Sequence, residues 1–124
     1  MSTTTHSTHS RFTLEDVVNF VWNNKRKRAF KGYTFENVCR IIIYAATNDR
    51  LRLVEDEYGI CGAAVIRVEE NKVIVDFLVA VRNGFKTFVD YYRNTYSDKQ
   101  LLGERDGKMR TFNTRILCQL AQRT

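Results

Sequence analysis

The chain has 124 residues, of which 44% are hydrophobic, and 20 Lys and Arg against 14 Asp and Glu give it a formal charge of +6. This length and composition suit one domain with a hydrophobic core, which excludes general disorder. No uncharged apolar run approaches the roughly 18 residues that a membrane-spanning helix needs. The amino terminus also lacks the apolar stretch of a secretory signal. We therefore expect a cytosolic protein that does not enter a membrane.

The amino-terminal segment is polar throughout. Residues 2–10 read STTTHSTHS and contain no apolar side chain, so burial cannot offset the entropy lost on ordering them. The sequence therefore predicts a flexible polar arm over residues 1–12 and a single domain over residues 13–124. No metal site is expected, because His6 and His9 have no carboxylate or cysteine close by in the sequence. The three cysteines have no paired spacing and are expected to be small buried hydrophobic residues.

Two segments carry the apolar spacing of amphipathic helices. The first helix is predicted to begin after a capping box formed by Thr13 and Asp16 and to end near Asn24. The second is predicted to begin after Thr34 and to end at the Asn48–Asp49 pair. The apolar faces are Leu14, Val17, Val18, Val21 and Trp22 in the first helix and Phe35, Val38, Cys39, Ile42 and Ala46 in the second.

Strand patterns follow the helices. Leu51 and Leu53 alternate with arginines, and Ile60–Val68 and Val73–Val81 are rich in β-branched residues, which predicts an antiparallel meander of three strands. A third helix, a hairpin and a short last helix complete the predicted α+β fold. Their predicted positions are a helix from Phe85, strands at Gln100–Glu104 and Lys108–Phe112 around an Asp106–Gly107 turn, and a helix from Thr114.

A basic segment follows the first helix. Five cations occupy seven positions there: Lys25, Arg26, Lys27, Arg28 and Lys31. Such a density of positive charge is expected to attract nucleic acid or an acidic partner through counterion release. The alternative is an ordinary solvated turn that keeps the protein in solution.

Two further features are candidates for chemistry. The turn from Arg82 to Lys86 joins a strand to a helix, and its open amide groups and two cations would suit a pyrophosphate. The alternative there is that Gly84 serves an ordinary corner between a strand and a helix. Asp76 is a carboxylate within an apolar strand, so it is either a base that faces a cleft or a residue in an ion pair or at an edge.

The order of helices and strands over residues 13–105 resembles the GNAT superfamily of N-acyltransferases. More narrowly, the stretch from Val73 to Asn113 looks like small GNAT-like proteins of tailed bacteriophages, with an R-x-G turn, an aromatic-rich helix and a strand ending in R-x-G-K. The resemblance implies that the strand Val73–Val81 lines an acyl thioester and that its amides from Val79 to Val81 stabilise an oxyanion. It also implies that the segment Asn24–Tyr33 meets the acceptor. The residues implied in binding the coenzyme A pyrophosphate are Arg82, Asn83, Gly84, Phe85 and Lys86.

The chain departs from the family pattern in three places. Its turn has one glycine and is a residue short, a hairpin replaces the fourth helix, and the first strand is missing unless the polar arm supplies it. One expectation is therefore a phage accessory or virion-associated protein of the host cytoplasm, with a degenerate GNAT-like fold, that binds phage or host proteins or nucleic acid and has no certain cofactor. The alternative is an N-acyltransferase that uses acetyl-CoA or another acyl-CoA. In that case Asp76 deprotonates an amine that attacks the thioester directly.

Overall fold

The computed structural model describes residues 4–6, 12–25, 31–105 and 108–111. Nine elements follow one another in these ranges: β1 (Thr4–His6), α1 (Leu14–Asn24), α2 (Phe35–Thr47), β2 (Leu51–Asp56), β3 (Gly59–Val68), β4 (Lys72–Ala80), α3 (Gly84–Thr95), β5 (Gln100–Arg105) and β6 (Lys108–Thr111). The six strands form one sheet in the order of the chain. All neighbours are antiparallel except β4 and β5, which are parallel because α3 carries the chain back across the sheet.

The first two helices begin as the sequence predicts. The Thr13 hydroxyl accepts a hydrogen bond from the Asp16 amide at 3.1 Å, and the Thr13 amide donates to the Asp16 carboxylate at 3.0 Å. Thr34 and Asn37 form the same reciprocal pair at the start of α2. Each box satisfies two amides that have no partner within the helix, so local sequence alone fixes both starting points.

Both faces of the sheet are covered by helices. One apolar cluster joins α1 and α2 to the sheet, and its buried members are Val17, Val18, Val21, Val38, Ile42, Ala45, Leu51, Leu53, Ala63, Val65 and Val79. The other joins α3 to the opposite face through Val54, Cys61, Ala64, Ile66, Val73, Val75, Phe88, Val89, Tyr92 and Leu101. Each fully buried aliphatic or aromatic side chain contributes about 1.5–3 kcal/mol of transfer free energy, so these two clusters are the main stabilising contacts.

The amino-terminal segment corrects one prediction. Residues 2–10 were expected to have no regular structure, yet Thr4–His6 form β1 and pair with β2, with Thr5 opposite Val54. An edge strand needs backbone hydrogen bonds rather than apolar side chains, and the composition argument did not count them. Strand β1 supplies the first strand that the family order requires. The flexibility of the rest of the arm and the domain boundary stay predictions.

The end of the described chain agrees with the predicted hairpin. Strands β5 and β6 are antiparallel, with Arg105 opposite Lys108. The two turn residues between them and the helix predicted from Thr114 lie outside the described residues. Within the described ranges, no helix combines the length and the apolar character needed to cross a bilayer.

Candidate functional site

Strand β4 is interrupted by a β-bulge at Asp76. Val75 lies opposite Ile66 and Phe77 lies opposite Val65, so Asp76 has no counterpart on β3. The extra residue shifts the alternation of side chains. Val73 and Val75 pack on the side of α3, whereas Phe77 and Val79 pack on the side of α1 and α2. The bulge therefore divides β4 into two halves that present their side chains in opposite registers.

Strands β4 and β5 separate at the same point. Their parallel pairing runs from Lys72 and Gln100 to Val75 and Gly103, while β4 continues to Ala80. At about 3.3 Å per residue, residues 76–80 extend roughly 15 Å beyond the last paired position. Within the described residues, this part of β4 is paired with β3 on one side only. We call the space beside it the β4–β5 gap; its narrow end lies at Val75, where β5 is still paired, and its wide, open end lies at the carboxyl end of β4, beyond the last residue of β5.

The direction of each amide along the gap follows from one hydrogen bond. The Val81 amide donates to the Cys61 carbonyl at 2.8 Å, so it faces β3. Because amides alternate along a strand, the Val79 amide also faces β3, whereas those of Leu78 and Ala80 face the gap. The oxyanion donors were predicted among the amides from Val79 to Val81, and of these Val79 and Val81 face β3 whereas Ala80 faces the gap. The Leu78 amide, outside the predicted range, also faces the gap.

The open end of the gap meets the amino end of α3. Asn83 caps this helix without a side-chain hydrogen bond, and the first turn holds no acidic residue. The Gly84 amide donates to the Val81 carbonyl, and the first helical hydrogen bond runs from the Thr87 amide to the Asn83 carbonyl, both at 3.0 Å. The amides of Phe85 and Lys86 come before that bond and point out of the helix end. Together with the helix dipole they favour a negative charge there.

Gly84 is required by packing as well as by the turn. A Cβ atom at this position would lie 2.1 Å from the Cys61 carbonyl oxygen and 2.7 Å from its carbon. Backbone atoms cannot give way as a flexible side chain can, so only glycine lets α3 begin this close to β3. Gly84 therefore serves the corner between β4 and α3. The same corner carries the turn that was predicted to bind an anion.

The two cations of the turn take different positions. Arg82 was expected to add charge to the anion site, but its guanidinium binds the Asp56 carboxylate, with Nε 2.5 Å from Oδ2 and Nη2 2.9 Å from Oδ1. The Arg82 hydrogen bond holds the pKa of Asp56 below its ordinary value. Lys86 stays in solvent with 67% of its side chain exposed, and its ammonium lies 3.6 Å from Asp90 on the same helix. Of the two cations in the turn, Lys86 is therefore the one placed to contact an anion bound from solvent.

Asp76 is in an ion pair. The Arg67 guanidinium contacts it through Nη2 to Oδ1 at 3.0 Å and through Nε to both carboxylate oxygens at 3.2 Å. Of the alternatives predicted for Asp76, the structure thus shows the ion pair. The carboxylate is 28% exposed and lies at the point where the gap begins. Whether it also acts as a base stays a prediction.

Arg67 is the site residue that the sequence reasoning missed. Arg67 on β3 lies opposite Ile74 on β4, and Asp76 is two residues beyond Ile74, so strand alternation places it on the same face of the sheet as a diagonal neighbour of Arg67. A basic residue just before the polar turn at residues 69–71 was a usable signal, since a hairpin places the residues flanking its turn side by side. The exact register of this hairpin is a structural finding, so the sequence did not single out Asp76 as the partner of Arg67.

The basic segment lies only partly within the described residues. Lys25 donates to the Trp22 carbonyl at 3.2 Å, and its ammonium lies 3.9 Å from the centre of the Trp22 ring. Lys31 is exposed. The other three cations, Arg26, Lys27 and Arg28, lie outside the described residues. Nucleic-acid or partner binding by this segment stays a prediction.

These features define a class. Helices α1 and α2 ahead of a meander, a crossover through α3 and a parallel β4–β5 pairing that ends at Val75 make this an α+β chain of GNAT-like fold. A similar solved structure is that of an acetyltransferase of the GNAT family from Bacillus cereus ATCC 10987, determined at 1.31 Å. The match has a TM-score of 0.54 at 12% sequence identity and covers 83% of this chain and 70% of that chain. At this identity the likeness concerns the fold alone. No protein-family model matches the sequence, and a search of curated proteins gives no match.

Proposed function

We propose that this chain binds an acyl-CoA in the β4–β5 gap and transfers the acyl group to an amine. The observation that carries the proposal is the end of β4–β5 pairing at Val75, with the uncapped amino end of α3 at the open end of the gap. A strand edge with unpaired amides binds an extended ligand that carries its own amides, and a helix amino end binds a phosphate. Coenzyme A contains both groups, joined in that order.

The proposed ligand has one orientation in the gap. Its pyrophosphate lies against the amides of Phe85 and Lys86, with the Lys86 ammonium beside it. The pantetheine arm then runs along residues 76–80 of β4, where the amides of Leu78 and Ala80 hydrogen-bond it. The thioester reaches the narrow end of the gap, close to Asp76. This direction follows from the charge, because among the described residues the wide end meets a helix amino end that lacks a side-chain cap hydrogen bond.

The proposed reaction is direct acyl transfer. The amine nitrogen attacks the thioester carbonyl carbon, the C–S bond breaks, and coenzyme A leaves as a thiolate that takes a proton from water. Asp76 accepts the proton that the amine loses. Arg67 fixes its position, and a carboxylate has about four lone-pair sites, so the three guanidinium contacts leave room for the amine. The strand amides facing the gap donate to the oxyanion.

One observation favours a second candidate. Arg82, the first cation of the turn, is committed to Asp56. This supports a chain that keeps the fold without the chemistry, a phage accessory or virion-associated protein that binds a phage or host protein or nucleic acid through the segment from Lys25 to Lys31. Such binding predicts an affinity that falls steeply with salt, because phosphate contacts release counterions.

Calorimetric titration with acetyl-CoA separates the two candidates. The proposed function predicts saturable binding and a rise in unfolding free energy of about 2.7 kcal/mol when the ligand is at 100 times its dissociation constant. Lys86→Glu should weaken this binding, whereas Lys72→Glu, at the paired end of β4, is the matched charge control. Absence of binding at millimolar acetyl-CoA contradicts the proposal and leaves the second candidate. Release of free thiol with a panel of amines then tests turnover.

A further inference from the structure

A second network surrounds the corner where β4 meets α3. Arg82 adopts φ 52°, a left-handed conformation that is unfavourable for a residue with a side chain. Its guanidinium contacts both oxygens of Asp56 and donates to the Ile60 carbonyl at 3.2 Å. Asp56 also accepts from the Tyr58 amide at 2.9 Å, so it holds the β2–β3 turn as well as Arg82.

From this network we infer that Arg82 and Asp56 form a clamp that positions the amino end of α3, with Arg82 acting through the backbone rather than as a phosphate ligand. For its effect on ligand binding, this inference rests on the proposed function. Its structural part concerns the free protein alone. Arg82 is thus a positioning residue, although it is the first residue of the turn that faces the proposed pyrophosphate.

The geometry supports the clamp in two steps. First, three contacts tie the corner to the β2–β3 hairpin: the Arg82–Asp56 ion pair at the end of β2, and the Val81–Cys61 hydrogen bond and the close approach of Gly84 to Cys61 at the start of β3. Second, the clamp partner is largely shielded, since the Asp56 side chain is 16% exposed. A guanidinium that already makes three hydrogen bonds, two of them to a shielded carboxylate, gains little by leaving it for a phosphate in water.

The role of the left-handed backbone follows from the same contacts. Positive φ at Arg82 turns the chain from the end of β4 into the first turn of α3 and lets the side chain reach back to the β2–β3 turn. The ion pair then offsets the strain of that conformation. The amides of Phe85 and Lys86 are held in place by this corner, and their direction determines where an anion binds.

Amide hydrogen exchange in the free protein tests the structural part. The clamp predicts that Asp56→Asn and Arg82→Gly each speed exchange at Val81, Gly84 and Thr87 by up to about fivefold. Glycine at position 82 tolerates the positive φ, so that variant removes the guanidinium without adding strain. Arg82→Lys keeps the charge but loses the two-pronged contact, and it should restore protection only in part. The amides of Val17 and Glu69 lie in other elements and serve as controls. Unchanged exchange at the three corner amides in every variant would overturn the clamp.

Titration with coenzyme A tests the ligand part. A positioning role predicts that Asp56→Asn and Arg82→Gly weaken binding to a similar extent and that the double variant loses little more than either one. If Arg82 instead binds phosphate, Asp56→Asn releases the guanidinium and tightens binding, and that outcome overturns the inference. If the wild-type protein does not bind coenzyme A, the proposed function fails, and the exchange experiment still decides whether the clamp exists.

Discussion

Gly84 at the start of α3 lies against the backbone of Cys61 on β3, so close that a Cβ atom at position 84 would be 2.1 Å from the Cys61 carbonyl oxygen. Cys61 is itself the extra residue of a bulge, since Val54 lies opposite Gly62 and Glu55 lies opposite Ile60. The bulge in β3 and the glycine in α3 together set the position of the helix end. That position in turn fixes the wide end of the β4–β5 gap.

Gly84→Ala should therefore displace the first turn of α3. We expect a loss of about 1–3 kcal/mol in the free energy of unfolding, as for other overpacked sites, together with loss of coenzyme A binding. Urea denaturation and calorimetry measure the two effects. Gly62→Ala is the matched control, because its Cβ would lie 3.3 Å from the side chain of Val54, a contact that can adjust. A Gly84→Ala protein as stable as the wild type contradicts this account of the corner.

The Asp56–Arg82 pair predicts a specific dependence of stability on pH. The hydrogen bond from Arg82 lowers the pKa of Asp56 from 3.8, so the folded state favours the ionised carboxylate. The pair's contribution is complete above the unfolded pKa and is lost as the pH falls through the folded pKa. Because Arg82 is 40% exposed and water screens the pair, we expect no more than about 1 kcal/mol.

Urea denaturation of the wild type and Asp56→Asn from about pH 7 to about pH 2.5 tests this dependence. The difference in unfolding free energy between the two proteins should be constant above about pH 5 and should shrink below about pH 4. A difference that stays the same throughout the acid range shows that the ion pair is not its source.

Cys61 should be chemically inert in the folded protein. Burial raises the pKa of its thiol to about 11, and the side chain is 1% exposed. Only about 0.1% of such a thiol is thiolate at pH 8, and thiolate is the reactive form. With Cys118 replaced by serine, iodoacetamide should label the half-buried Cys39 before Cys61, as read by mass spectrometry. In urea the two sites should react at similar rates. Equal labelling in the native state would show that the start of β3 opens readily.

Asp76→Asn should reduce acyl transfer strongly if Asp76 is the base. We expect kcat to fall by about 10²–10⁴, with little change in the KM for acetyl-CoA, because the substitution removes proton transfer and leaves the gap intact. The assay is thiol release with an amine that the wild-type protein accepts. Glu69→Gln is the control, since Glu69 lies 3.9 Å from Arg67 and does not contact Asp76. Full activity in Asp76→Asn assigns the base elsewhere.

The sequence predicted the elements that local signals determine. The capping boxes at Thr13 and Thr34 and the apolar spacing behind them fixed the two amino-terminal helices, and the turns around Gly59 and Asn71 fixed the meander. The sequence left open whether the polar arm supplies the first strand, because backbone pairing with β2 leaves no mark in composition. The elements of the site were therefore predictable, apart from the edge of the sheet.

The directions of the site residues were not predictable in the same way. Arg82 points to Asp56 because its backbone is left-handed. The sequence pattern that predicted an anion site at this turn does not indicate the φ angles of its residues. Asp76 was singled out as an anomaly in an apolar strand, but its partner Arg67 is a diagonal neighbour on β3, and that pairing follows from the register of the hairpin. The amides that face the gap follow from the Val81–Cys61 hydrogen bond, which is also a tertiary contact.

NMR titration of the isotope-labelled protein with acetyl-CoA shows whether the β4–β5 gap binds an acyl-CoA. We predict saturable shifts at the amides of Leu78, Ala80, Phe85 and Lys86, with no change at Val38 in α2. Shifts confined to Lys25 and Lys31, or no shifts at millimolar ligand, would contradict binding in the gap.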